Sequence, residues 1–143
     1  MSGKKKEATE IVRSMHDFID NKISEEVTLV DIYKKAAVPV AKAIISYSDK
    51  DYSKVVKLML EARYEMRPLG GSWAQRDVWV RMFIDAAIKD DQVLLSRALL
   101  AERTAVQPTS APTWSLYANI LEKVGDTDAA IVARSKVEKL LAA

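Results

Sequence analysis

Three short turns, Lys50-Asp51-Tyr52, Asp90-Asp91-Gln92 and Gly125-Asp126-Thr127, divide this chain into pairs of helical patterns. They recur at comparable intervals, so they point to helical hairpins that repeat. Neither helix of such a pair buries its apolar stripe alone, and stacked neighbours supply the core. The composition agrees with this reading. The 143 residues include four Gly and four Pro, which supplies few turns for strand hairpins, whereas plentiful Ala, Leu and Val sustain helices. The length fits one domain that buries a core without staples.

Along the chain, residues 1–6 read as a disordered basic tail. Ile11, Val12, Met15, Phe18 and Ile19 then recur at helical spacing from Glu7 to about Lys22. Ser24 offers a boundary, Thr28 with Asp31 resembles a helix start, and Leu29, Ile32, Tyr33 and Ala36 line a short helical face. Proline inside a helix costs about 3 kcal/mol but is tolerated in the first turn. A new helix is therefore expected from Pro39 to Ser48, with a kinked continuous helix from Thr28 as the alternative. Further helices are expected over 52–66, 74–89, 93–106, 114–124 and 128–141. Pro68-Leu69-Gly70-Gly71 stops the helix over 52–66, and Pro108-Thr109-Ser110-Ala111-Pro112 makes a clear turn.

Other classes are disfavoured. A formal net charge of +2 is too weak to imply nucleic acid. Without cysteine, disulfides and thiolate chemistry are excluded, and one histidine leaves little for a metal. His16 lies beside Met15 and Asp17 with no oriented partner in view and reads as a surface residue. Asp49, Asp51, Asp90 and Asp91 lack an EF-hand spacing and read as caps. No catalytic, cofactor or metal site is expected. No apolar run approaches the roughly 20 residues of a membrane span. Lys4-Lys5-Lys6 precede Glu7 rather than an apolar segment, unlike a secretory signal. The expected compartment is the cytoplasm, or an organelle where a targeting segment has been removed.

The rhythm resembles the tetratricopeptide repeat, whose period is about 34 residues. In the last unit Trp114 stands where that repeat has its first-helix aromatic. Ala118 stands at the small contact position, Gly125 in the turn and Ala130 at the crossing of the second helix. Earlier units are degenerate, with Ala43 and Val55 as the clearest matches. Several strings occur in order: Val38-Pro39-Val40, Asp51-Tyr52, Ala62-Arg63-Tyr64, Gly70-Gly71-Ser72-Trp73-Ala74-Gln75-Arg76-Asp77-Val78, Ser96 to Arg103, and Gln107-Pro108-Thr109-Ser110. Together, over roughly Val38 to Trp114, they resemble the C-terminal part of the tetratricopeptide repeat protein 38 family. That family is longer, with several N-terminal repeats that have no counterpart here, whereas this chain continues past Pro112 with a well-formed repeat. The resemblance implies a fold and an interaction role, and no catalytic activity.

The Gly70 to Asp77 segment has two readings. Gln75, Arg76 and Asp77 are either a binding cluster at a helix start or the fastening of an enlarged loop. Fastening is preferred: Ser72 or Asp77 would satisfy first-turn amides, and Arg76 would bond carbonyls at the preceding helix end. An insertion of about seven residues relative to the ideal repeat needs such fastening. Trp73 in this loop is a candidate anchor for a partner, while Trp79 and Trp114 read as packing.

In such repeats the first helix of each pair lines an inner groove. That mapping places Arg81, Asp85 and Lys89 there in the middle unit, and Ser115, Asn119 and Lys123 in the last. In the first unit the same positions are Val40, Ile44 and Tyr47, an apolar face that should not stay open to water. The N-terminal helix is expected to cover it through Ile11, Met15, Phe18 and Ile19.

The expectation is therefore an all-α, right-handed superhelix of about three tetratricopeptide-like hairpins with an N-terminal capping helix. The predicted single domain spans 7–143: capping helices over 7–37, repeats over 38–69, 77–110 and 111–143, and a linking loop over 70–76. The expected role is a non-catalytic protein–protein adaptor or scaffold. The alternative is an accessory subunit embedded in a large protein complex, an organellar one included; a small-molecule binder or enzyme ranks third.

Overall fold

A computed structural model describes residues 3–21 and 27–142; at residues 3, 27 and 73 it describes the backbone alone. The fold is all-α, and no strand occurs among the described residues. The helices are α1 (Gly3–Asn21), α2 (Val27–Ile32), α3 (Val38–Ser48), α4 (Tyr52–Ala62), α5 (Trp73–Lys89), α6 (Val93–Val106), α7 (Ala111–Lys123) and α8 (Thr127–Leu141). A π turn (Tyr33–Ala37) joins α2 to α3, and a 3-10 turn (Arg67–Leu69) follows α4. The chain divides into two compact units, Met1–Ala86 and Ala87–Ala143. The division falls within α5 and cuts the expected middle repeat.

The three reversals share one backbone solution. Lys50, Asp91 and Gly125 all have positive φ, at 61°, 56° and 79°. In each case the next amide bonds five residues back at 2.9 Å: Asp51 to Ser46, Gln92 to Ala87 and Asp126 to Leu121. The positive-φ residue itself donates three residues back, to Tyr47, Ile88 and Glu122. This is the Schellman arrangement, which satisfies the last carbonyls of a helix. Asp51 and Asp126 then cap the following helix through their carboxylates, accepting from the amides of Lys54 and Ala129.

The turns therefore align Lys50-Asp51 with Asp91-Gln92 and Gly125-Asp126, which shifts the sequence-based alignment of the middle turn by one residue. Gln92 occupies the cap position there, and its side chain makes no cap bond. From Asp91 to Gly125 the spacing is 34 residues, and from Lys50 to Asp91 it is 41. The difference of seven is shared between a longer link after α4 and a longer α5.

In the first unit α3 and α4 form a hairpin closed over Ala43, Val55, Met59 and Ala62, all fully buried. In place of a new helix at Pro39, the chain is continuously helical from Val27 to Ser48, as the alternative had it, and no break falls at the proline. Tyr33 to Ala37 widen into a π turn in which the Val38 amide bonds the Tyr33 carbonyl. Pro39 falls in the first turn of α3. The missing N–H of proline thus coincides with a change of helical register, where an inserted residue already disrupts the α ladder.

The basic tail is also revised, because α1 begins at Gly3, and Lys5 forms an ion pair with Asp49. Helix α1 packs on α3 as a cover, but on a different side from the one expected. Ile19 clusters with Val30 and Val38, with Met15, Phe18 and Tyr33 packed around them. Phe18 and Tyr33 rings lie 4.9 Å apart. Ile11 instead points outward and Val12 takes the buried position. Ile44 stays 46% exposed, so the Val40–Ile44–Tyr47 face is only partly covered. The Ser24 boundary lies outside the described residues.

The second unit contains the α7–α8 hairpin. Ala118, Leu121, Ala130 and Ala133 form its core, with Trp114, Tyr117 and Ala129 packed against them. Alanines at the crossing let the two backbones approach, and the aromatic rings fill the space beside them. Helix α7 begins at Ala111, three residues earlier than expected, because Pro112 sits in the first turn, where its missing N–H costs nothing. The α6–α7 link is tied by side chains. Trp114 Nε1 donates to the Pro108 carbonyl at 2.9 Å, and Arg103 donates to Thr113 Oγ1 and Gln107 Oε1 at 3.2 and 3.1 Å.

Candidate functional site

The Gly-Gly-Ser-x-x-Gln-Arg segment is the most distinctive local structure in the first unit. Helix α4 ends at Ala62, four residues before the expected Met66, and the 3-10 turn carries Pro68 in its first positions. Gly70 has φ 76° and ψ −154°, a region open essentially only to glycine. Gly71 follows at φ 78°. Helix α5 begins at Trp73, so the loop is shorter than the expected 70–76.

The helix start is a reciprocal capping box. Ser72 Oγ accepts from the Gln75 amide at 3.3 Å, and Gln75 Oε1 accepts from the Ser72 amide at 2.7 Å. The expected Ser72 cap is present; the returning bond from Gln75 was not foreseen, although Ser-x-x-Gln is its sequence signal. Arg76 Nη1 donates to the carbonyls of Gly70 and Gly71 at 3.2 and 2.7 Å. These carbonyls lie in the loop just after the 3-10 turn, a few residues beyond the helix end at which the bonds were expected. The two positive-φ residues turn successive carbonyls toward α5, and one guanidinium nitrogen gathers both. These polar groups bond to one another and to their own loop, which is a fastening arrangement. The side chain of Trp73 lies outside the described residues.

The groove candidates fall in different units. In the first, Arg81 is exposed, and half-buried Asp85 accepts a hydrogen bond from the Tyr47 hydroxyl. The Tyr47 ring meets Tyr52 edge-on, with centroids 5.7 Å apart. Asp85 thus links α5 to the α3–α4 hairpin, a role that its groove assignment did not anticipate.

In the second unit Lys89, Asn119 and Lys123 are exposed and Ser115 is half-buried. Asn119 Oδ1 accepts from Arg134 at 3.2 Å, and the same guanidinium bonds Glu122 at 2.7 and 2.8 Å. Lys123 pairs with Asp91 at the hairpin end. Exposed pairs of this kind contribute about 0–1 kcal/mol each, so a partner can replace them at little cost.

His16 is exposed. No group of three or more metal-ligating side chains occurs among the described residues. No helix among them is long and apolar enough to cross a membrane. No family model matches this chain, and no solved structure matches it.

Proposed function

We propose that this chain is a non-catalytic protein–protein interaction module, an adaptor or scaffold built from tetratricopeptide-like hairpins. The observation that carries the reading is the outer surface of the α7–α8 hairpin. Its crossing closes on alanines, while Ile131 and Val132 in the middle of α8 stay 62% and 68% exposed. Single exposed apolar residues are ordinary, but adjacent β-branched ones in mid-helix offer a partner desolvated contact area. Ser115, Asn119 and Lys123 on α7 supply polar contacts in the same unit. The 34-residue spacing of two like turns supports the repeat assignment. The resemblance to the tetratricopeptide repeat protein 38 family belongs to the same proposal and rests on its residue strings.

Leu94, Val106 and Leu141 are also largely exposed in the second unit. This favours a second reading, an accessory subunit held permanently in a larger protein complex. Affinity capture followed by mass spectrometry separates the outcomes when wild type is compared with an Ile131→Asp/Val132→Lys variant. The interaction reading requires proteins captured by wild type and lost by the variant at unchanged melting temperature. Identical captures from both refute it. A purified chain that stays monomeric when concentrated indicates an adaptor, and one that is insoluble without partners indicates an embedded subunit.

A further inference from the structure

Three helices of the first unit meet around a depression of about 240 Å³ that the proposed interaction role does not use. Thr9 of α1, Lys42 and Ser46 of α3, Asp49 just past the end of α3, and Asp51 and Lys54 at the start of α4 contribute to its wall. Ser46 is the telling residue. It is only 4% exposed, yet its side chain makes no hydrogen bond among the described residues. The other buried helical hydroxyls are engaged: Ser96 bonds back to Gln92 and Thr104 to Ala101, both at 2.9 Å, while Thr113 meets Ser110 and Arg103. No fully enclosed side-chain polar atom lacks a partner among the described residues. The Ser46 hydroxyl therefore reaches the depression, where a solvent molecule or a ligand can supply the partner that the described residues do not.

The charges around it favour an anion. Lys42 and Lys54 make no ion pair among the described residues, while Lys5 already neutralises Asp49. Asp51 is engaged as the cap of the Lys54 amide at 3.2 Å. Lys5, Lys42 and Lys54 against Asp49 and Asp51 leave one net positive charge. The eleven-residue α4 also starts here, adding the positive end of its dipole.

We propose that this depression binds the phosphoryl group of a small soluble phosphate monoester. One hydroxyl and two ammonium groups match the several acceptor oxygens of a phosphoryl dianion. The volume lies below the roughly 300–1,000 Å³ of drug-sized sites, enough for a phosphoryl head with a short substituent. The site is independent of the α8 surface, so either assignment can fail without the other.

The test is an amide chemical-shift titration of the full chain with inorganic phosphate and with glycerol phosphate, against sodium chloride at matched ionic strength. Saturable shifts are expected at Ser46 and Lys54 with both phosphates and not with chloride. Lys42→Ala/Lys54→Ala should weaken binding about tenfold or more, the loss of charge-assisted contacts. Ser46→Ala should weaken it about threefold at unchanged melting temperature, because that hydroxyl supports nothing inside the protein. Shifts that do not saturate, that chloride reproduces, or that survive the double substitution mean an adventitious ion only and overturn the proposal. So does binding to phosphatidic acid vesicles that glycerol phosphate fails to displace.

Discussion

Replacing Gly71 by alanine tests how the distinctive loop is held. Its φ of 78° lies where an L-residue meets its own carbonyl, a strain of about 1–2 kcal/mol. A Cβ built there also lies 2.9 Å from Gln75 Oε1, 3.5 Å from Gln75 Cβ and 3.7 Å from Gln75 Cδ. The flexible amide can retreat, but only by giving up its 2.7 Å bond from the Ser72 amide. An exposed hydrogen bond of this kind contributes about 0.5–1.5 kcal/mol. Against these costs, alanine narrows the unfolded ensemble and returns about 0.4–1 kcal/mol. The net expectation for Gly71→Ala is a loss of about 1–3 kcal/mol.

A double-mutant cycle isolates the contact. Gln75→Ala alone should cost about 0.5–1.5 kcal/mol through the opened capping box. In that background Gly71→Ala retains the backbone strain but no longer displaces the amide. The two losses should therefore fall short of additive by about 0.5–1.5 kcal/mol, the bond that each alone removes. Urea unfolding followed by circular dichroism and by tryptophan fluorescence measures all four proteins, the two probes reporting whether the units unfold together. Strictly additive losses would refute the close approach, and an unperturbed Gly71→Ala would refute the left-handed backbone itself.

Three further outcomes are expected. Arg76→Ala should lower stability by about 1 kcal/mol by releasing the Gly70 and Gly71 carbonyls, with Arg76→Lys failing to restore it; unchanged stability with lost partner binding would reverse the fastening role. Ala130→Trp should lower the melting temperature markedly, because overpacking a crossing that is 2% exposed costs about 1–3 kcal/mol or more. Deleting residues 1–22 should uncover Val30, Val38 and Tyr33 and cause aggregation in size-exclusion chromatography; a well-behaved monomer would show that α1 is not a required cover.

How far the sequence could be read depended on the range of each interaction. The helices over 93–106 and near 52–62, 73–89 and 127–141 follow from apolar periodicity and local caps, signals contained within a few residues. The reversals at Lys50, Asp91 and Gly125 were visible as turns, but their register was not. Only the bonding pattern shows that Asp91, rather than Asp90, carries the left-handed backbone. Aspartate residues at neighbouring positions look alike as turn formers until the helix carbonyls choose their donors.

The sequence by itself determined an all-α chain, its hairpin turns, the glycine pair with its Ser72 cap, and the small residues at the last crossing. Each of these follows from the backbone needs of one or two neighbouring segments. The tertiary structure decided the continuity through Pro39, which depends on a π turn accommodated by packing. It placed Val12 inward in preference to Ile11, since adjacent apolar residues on α1 compete for one face. It also joined Tyr47 to Asp85 and gathered Ser46, Lys42 and Lys54 around one depression. Those groups lie on different helices, and no local pattern in a chain records which distant side chains folding will bring together.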